Sequence, residues 1–502
     1  MHSTPGHSAL QPRASAGVDA EHAVLQAVPK QLYIGGAWRD GRDGGTVAVE
    51  DPATGATIAE VADATEQDAL DALGAAHEAF ASWRDSAPRE RGDILRRAYE
   101  AITARSDELA LLMTLEMGKP VAESRAEIAY AASFLRWYSE EAVRIAGRYT
   151  ASEAGTGRVL TMRQPVGPCV FVTPWNFPLA MGTRKIAPAI AAGCTIVIKP
   201  AKLTPLSMLM LAAILEEAGL PGGVLNVVTA RSSGAVMQPV ITDPRTRKLS
   251  FTGSTEVGRK LMAQASEQIL RVSMELGGNA PFLVFDDADL DAAVDGAMVA
   301  KMRNIGEACT AANRFHVADA LADEFASRLA SRMEALTIGR GTGDGVDVGP
   351  LIDGEQLDKV AALVDDAVER GARVLCGGER VEGAGHFYRP TVLTDVPGDA
   401  RILHEEVFGP VAPVTSFASE DEAIALANDT EFGLVAYVYT GGVERALRVS
   451  ERLETGMVGL NQGLVSNAGA PFGGIKHSGF GREGGPEGIE EYVEVKYVAL
   501  SV

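Results

Sequence analysis

Cysteine is scarce in this chain. Its 502 residues hold four, Cys169, Cys194, Cys309 and Cys376, far apart and never as a CxxC pair. That spacing excludes a zinc ribbon or a disulfide framework and fits a reducing, cytoplasmic setting. Long apolar runs are missing too. The best, IAPAIAAGCTIVI at 186–198, is flanked by Lys185 and Lys199 and falls short of the roughly 20 residues that a membrane helix needs. No GxGxxG occurs, so the commonest dinucleotide fingerprint is absent. The eight histidines show no ligand spacing, and no metal is expected. Cations are outnumbered: 46 Lys and Arg against 67 Asp and Glu leave a net charge of −21. That balance argues against nucleic acid or an anionic membrane as partner. Residues 1–30 have no aromatic side chain and no basic start leading into an apolar stretch. They read as a disordered tail and not as a secretory signal.

What is present is ordinary globular material, 46% hydrophobic and 23% charged, enough for large cores and for about three domains at roughly 150 residues each. Residues 65–147 have helical periodicity, with Thr65 as a candidate N-cap ahead of Leu70, Leu73, Phe80 and Trp83. From Arg163 the texture changes. Short apolar runs at 169–174, 194–200, 224–229 and 249–253 alternate with helical stretches such as 206–219. Such runs predict a parallel sheet covered on both faces, with ligands at the carboxyl ends of its strands. A second α/β series follows, with strands expected at 281–285, 314–318, 372–377, 411–417, 434–440 and 457–461. The terminal EEYVEVKYVALSV alternates like an exposed strand, suited either to an internal edge or to a partner's sheet.

Five segments can carry chemistry. TPWNFPLAM (173–181) places the Asn176 amide between bulky neighbours, either as an oxyanion donor or as an Asx-type turn. IVIKPAKLTP (196–205) sets Lys199 and Lys202 at a strand end, within reach of ribose or phosphate or simply of water. GSTEVG (253–258) is a glycine-bearing strand-to-helix turn, which can receive a phosphate or be an ordinary connection. MELGGNAP (274–281) puts Glu275 in an apolar strand, where desolvation raises a carboxyl and suits it to general-base work. NIGEACTAANR (304–314) surrounds Cys309 with small residues.

In this order and spacing the five segments resemble the aldehyde dehydrogenase superfamily. HEEVFGP (404–410), NDTEFGL (428–434) and APFGGIKHSGFGREGG (470–485) extend the resemblance over about 31–500. By texture, LTPLSMLMLAAILEEAGLPGGVLNVVT, KLSFTGSTEVGRKLM and SMELGGNAPFLVFDDADLD are most similar to the bacterial succinate-semialdehyde dehydrogenase subgroup. The resemblance implies an α/β fold with a Rossmann-like cofactor domain (31–146 and 166–277), an α/β catalytic domain (278–477) and a small β oligomerisation arm (147–165 and 487–502) that makes homodimers or homotetramers. It implies Cys309 as nucleophile, Glu275 as general base and Asn176, with the Cys309 N–H, as oxyanion hole. Trp175, Lys199, Lys202, Gly253, Ser254, Glu406 and Phe408 fall on cofactor positions. Arg184, Arg303 and Ser466 fall on the set that receives a substrate carboxylate. The implied activity is oxidation of succinate semialdehyde by NADP or NAD, with glutarate semialdehyde or another ω-carboxylated or small aliphatic aldehyde as the rival substrate and a non-catalytic cofactor-binding protein as the rival class. Lys202 stands where NAD-preferring relatives often carry Glu, so NADP is the expected preference. Two departures stand out. Glu307 and Ala308 replace the usual Gln and Thr before the nucleophile, and Glu307 would oppose ionisation of the thiol unless it turns away. Ala311 replaces a cysteine with which some relatives form a regulatory disulfide.

Overall fold

The computed structural model describes residues 17–501. The chain begins there with a helix, Val18–Ala27, which corrects the expected tail over that stretch; residues 1–16 lie outside the described range. Remote partners explain the difference. Val24 and Val28 are buried in the main core, and Arg340 grips both Glu21 oxygens at 2.9 Å. Composition alone carries no trace of an anchor more than 300 residues away.

The helical region is built as its local signals require. Thr65 caps the helix Glu66–Arg84 in a capping box with Asp68, satisfying amide hydrogens that have no partner inside the helix. Pro88 opens the next helix, Pro88–Ala104, where its missing N–H costs nothing. The helices Ser106–Met117 and Val121–Glu141 follow.

Two sheets organise the rest. The first runs in the order Ala37–Arg39, Leu32–Ile34, Leu225–Val227, Thr195–Lys199, Pro168–Val172, Lys248–Thr252, Arg271–Glu275 and Gly479–Phe480. Its five central strands are parallel. The edge strands Leu32–Ile34 and Ala37–Arg39 come first in the chain; the parallel part starts in the middle at Pro168–Val172, builds outward on one side, then returns to build on the other. The reversal leaves a crevice between Pro168–Val172 and Lys248–Thr252 at their carboxyl ends, the usual ligand position in such sheets. The helix Ala180–Ala192 is buried along its whole length, although it carries Arg184 and Lys185.

The second sheet runs Arg373–Cys376, Thr391–Thr394, Val411–Phe417, Ala312–Ala318, Ala280–Val284, Val435–Tyr439 and Met457–Leu460. Only its first strand is antiparallel to its neighbour. Leu276–Asn279 joins the sheets: Glu275 ends a strand of one and Ala280 begins a strand of the other. A third, antiparallel sheet pairs Val493–Ser501 with Gly157–Pro165, and that strand with Arg148–Ala151. No helix among the described residues is long and apolar enough to cross a membrane.

Candidate active site

Cys309 sits just before the strand Ala312–Ala318, on a loop with three consecutive residues at left-handed φ: Asn304 at 55°, Ile305 at 63° and Gly306 at 78°. A β-branched side chain in that region is strained by about 1–3 kcal/mol, so the surroundings must hold it there. Three contacts do so. The Ile305 side chain is buried in an apolar cluster with Val348, Leu351 and Val360. The Asn304 amide donates to the carbonyls of Glu307 at 2.8 Å and Asn176 at 3.1 Å. Gly306 packs so closely on the Gly409 carbonyl that a Cβ has no room.

Asn176 is brought against this loop from the first sheet. Its side-chain amide donates to the Glu307 carbonyl at 2.9 Å. Its own carbonyl accepts from Lys119 Nζ at 2.8 Å. Lys119 is fully buried and pairs with Glu127 at 2.6 Å, while Glu127 also accepts from the N–H groups of Leu179 at 2.9 Å and Ala180 at 3.1 Å. One buried ion pair therefore fixes the turn that presents Asn176.

Glu275 ends the strand Arg271–Glu275, is 3% exposed, and among the described residues has no hydrogen-bond partner on either oxygen. Burial, reinforced by the negative Glu483, holds its carboxyl well above the usual carboxylate range, against the pull of Arg184 and Lys185. Burial likewise pushes the Cys309 thiol up to about 12, with Arg184 and Arg303 drawing it down and Glu406 and Glu275 raising it. The site thus rests with a protonated thiol beside a carboxyl poised to take or give a proton. Gly278 lies directly against the Cys309 carbonyl, where any side chain would collide.

Glu307 turns away from the thiol. Its Oε1 accepts from the Ile352 N–H at 3.1 Å, and burial holds the carboxyl well above its ordinary range. The departure from Gln is accommodated as a neutral acid on the far side of the loop. Cys169, Cys194 and Cys376 are buried free thiols and Cys309 is partly accessible.

The expected cofactor residues gather along the carboxyl edge of the first sheet. Lys199 ends Thr195–Lys199 at 3% exposure; burial and the charge of exposed Lys202 push its ammonium down to about 8. Among the described residues neither lysine has an acid partner in a salt bridge, and two adjacent unpaired cations suit ribose hydroxyls and phosphate. Gly253 donates its N–H to the Glu275 carbonyl at 3.0 Å. Ser254 caps the helix Thr255–Ser266 by accepting from the Val257 N–H. The Glu406 carboxyl accepts from the Gly278 N–H at 3.0 Å. Trp175 and Phe408 meet edge to face with centroids 5.4 Å apart, and Phe408 is held at φ 53° by Gln356, whose amide donates to its carbonyl at 2.7 Å. A dinucleotide fits this donor set: cations and a helix N-terminus for its phosphates, and aromatic faces for its ring.

Arg184 and Arg303 are both near enough to Cys309 for their charge to draw its thiol down. Arg303 donates to Ser466 Oγ at 3.1 Å, stacks 4.8 Å from the Phe177 centroid, and has no acidic partner among the described residues. Arg184 is differently placed. It lies 3.9 Å over Phe472, and its Nε is 2.8 Å from the Glu483 carboxylate, which Lys185 also binds. Lys119, Glu127, Asn304, Lys185 and Glu483 are site residues that the sequence reading missed. Glu483 had a visible signal, an acid inside the glycine-rich GREGG, of the kind that singled out Glu275.

The comparisons agree with this architecture. The model of the aldehyde dehydrogenase family matches residues 38–498, and the chain belongs to that family. A succinate-semialdehyde dehydrogenase of Paenarthrobacter nicotinovorans is 58% identical over 88% of this chain and 99% of its own length. A glutarate-semialdehyde dehydrogenase of Pseudomonas putida is 50% identical over 95% of this chain and 99% of its own. A crystal structure of an NADP-dependent enzyme from Escherichia coli superposes with a TM-score of 0.94 at 48% identity, covering 97% of this chain and all of that one.

Proposed function

We propose that this enzyme oxidises succinate semialdehyde to succinate, with NADP preferred over NAD. The observation that carries the substrate is Arg303: a guanidinium set on an aromatic wall beside the nucleophile, fixed by Ser466 and, among the described residues, without an acidic partner of its own. Its planar fork suits a carboxylate at the far end of a short aldehyde. The relatives of both semialdehyde types support an ω-carboxylated substrate.

In this reading Glu275 takes the Cys309 proton and passes it to solvent, which frees its carboxylate for the later step, and the thiolate adds to the aldehyde carbon. The oxyanion rests on the Asn176 amide and the Cys309 N–H. The bound nicotinamide supplies the hydride acceptor. Cys309 then holds the acyl group as a thioester, Glu275 removes a proton from water, and the hydroxide displaces the thiolate to release succinate. Lys199, Glu406, Trp175 and Phe408 hold the cofactor, Gly253 and Ser254 receive its pyrophosphate, and Lys202 attracts a 2′-phosphate. The exposed edge strand Arg148–Ala151, with Tyr149 63% exposed, supports a homodimer or homotetramer built through the β arm, and free thiols support a cytoplasmic setting. Reduced-cofactor absorbance with NADP and either semialdehyde tests the reading. Turnover with succinate semialdehyde should exceed that with glutarate semialdehyde; the reverse order would transfer the assignment to the longer substrate.

A further inference from the structure

Both arginines rest on one aromatic cluster. Arg303 lies 5.7 Å from the Tyr130 centroid, and Arg184 lies 5.8 Å from that of Phe134. Tyr130 and Phe134 pack edge to face with centroids 5.0 Å apart, one turn apart on the helix Val121–Glu141. That spacing sets them on the same helix face. The face therefore carries a phenol between two guanidinium groups.

The phenol hydroxyl has no partner among the described residues. Among the described residues Tyr130 Oη is buried and makes no hydrogen bond, and Arg184 Nη2 is in the same condition. Buried polar groups in folded proteins are nearly always paired, and leaving one unpaired costs about 1–3 kcal/mol. Here a hydroxyl and a guanidinium nitrogen are both left over at one place, beside an arginine with no acid. A guanidinium nitrogen can only donate and a phenol hydroxyl can donate, so an acceptor is the component that answers both, and an anion answers several donors at once.

We propose that Tyr130 is a specificity-determining residue, its hydroxyl donating to the substrate carboxylate alongside Arg303 and Arg184. The inference rests on the carboxylated-aldehyde reading above and extends it to a side chain outside the Arg184, Arg303 and Ser466 set. A phenol adds what a third cation would not: a directed hydrogen bond that leaves the charge balance of the pocket unchanged. It also brings discrimination, because a substrate without an acceptor leaves the hydroxyl buried and unsatisfied.

The test compares Tyr130→Phe, Arg303→Ala and the unaltered enzyme in steady-state kinetics at saturating NADP, on succinate semialdehyde and on butanal, with succinate as product inhibitor. Tyr130→Phe should lower kcat/KM for succinate semialdehyde by roughly ten- to a hundredfold, chiefly through KM, and should weaken inhibition by succinate to a similar extent. It should cost far less on butanal, and an NADP KM near that of the unaltered enzyme would show the fold is kept. An equal loss on both aldehydes, or no loss on either, overturns the role of the hydroxyl; the second result would mean that water satisfies it. If Arg303→Ala discriminates between the aldehydes and Tyr130→Phe does not, the inference about Tyr130 alone fails. If neither discriminates, the carboxylate reading fails with it.

Discussion

The two large sheets meet the active site with opposite ends. The first offers the carboxyl ends of its strands, where Lys199, Gly253 and Glu275 stand in unstrained backbone. The second offers its amino ends, and the loop entering Ala312–Ala318 passes through three left-handed residues before Cys309. Binding needs a set of donors at a crevice, which a parallel sheet forms wherever its strand order reverses. A nucleophile must be held at one point, and that point is secured by strain, by close glycine contacts and by amides that reach across from the other sheet. The lesson is that ligand recognition follows from topology here, while the reactive atom depends on local packing.

Removing the reactive atom on the second sheet's side should accordingly do the greatest damage. Cys309→Ala should lower turnover by more than about a thousandfold while cofactor binding, measured by fluorescence titration, persists. Glu275→Gln on the opposite side should slow thioester hydrolysis more than acylation. A stopped-flow trace should then show a burst of reduced cofactor before slow turnover; no burst would move the base function elsewhere.

The arginines come next. Truncating one partner of a desolvated charge pair costs on the order of 2–5 kcal/mol, about 30- to 4000-fold. Arg303→Ala should fall in that range on succinate semialdehyde and change far less on butanal. Arg184 sharpens the contrast. Because it also pairs with Glu483, Arg184→Ala should lose activity on both aldehydes, with the greater loss on the carboxylated one. Equal, nonselective losses in both variants would make the pair structural.

Lys202→Glu should move the NADP/NAD ratio of kcat/KM toward NAD by about tenfold, modest because the side chain is exposed and screened. An unchanged ratio would assign the preference to other residues. The smallest effect should come from Glu307. Its carboxyl is held above the ordinary range, so the folded state keeps a proton that the unfolded chain releases. That contribution is complete below the unfolded value and is lost as pH rises toward the folded one. Glu307→Gln removes the dependence, so its Tm relative to the unaltered protein should climb with pH, by roughly 1–3 °C between mildly acidic and alkaline buffers. A constant difference would mean Glu307 is already ionised.

Much of the first sheet's edge was legible because its signals are local. An acid in an apolar strand, a lysine at a strand end and a glycine turn each announce themselves within a few residues, and family resemblance orders them. Lys119 and Glu127 did not, since their meaning lies in carbonyl and amide groups of residues 176–180, more than 50 positions away. The Val18–Ala27 helix was missed for the same reason, its partner being Arg340. The orientation of Glu307 was open in the sequence because one side-chain rotation decides whether its charge faces the thiol or Ile352.

Leu276–Asn279 carries a consequence for recombination. The link that joins the sheets is four residues long, about 14 Å when fully extended, and the base and the nucleophile lie on opposite sides of it. A chimera spliced there from two relatives would draw its proton acceptor from one parent and its thiol from the other. Such hybrids would test whether a proton acceptor and a thiol that arose in separate lineages still work at the same separation, and a single inserted residue would serve as the graded control.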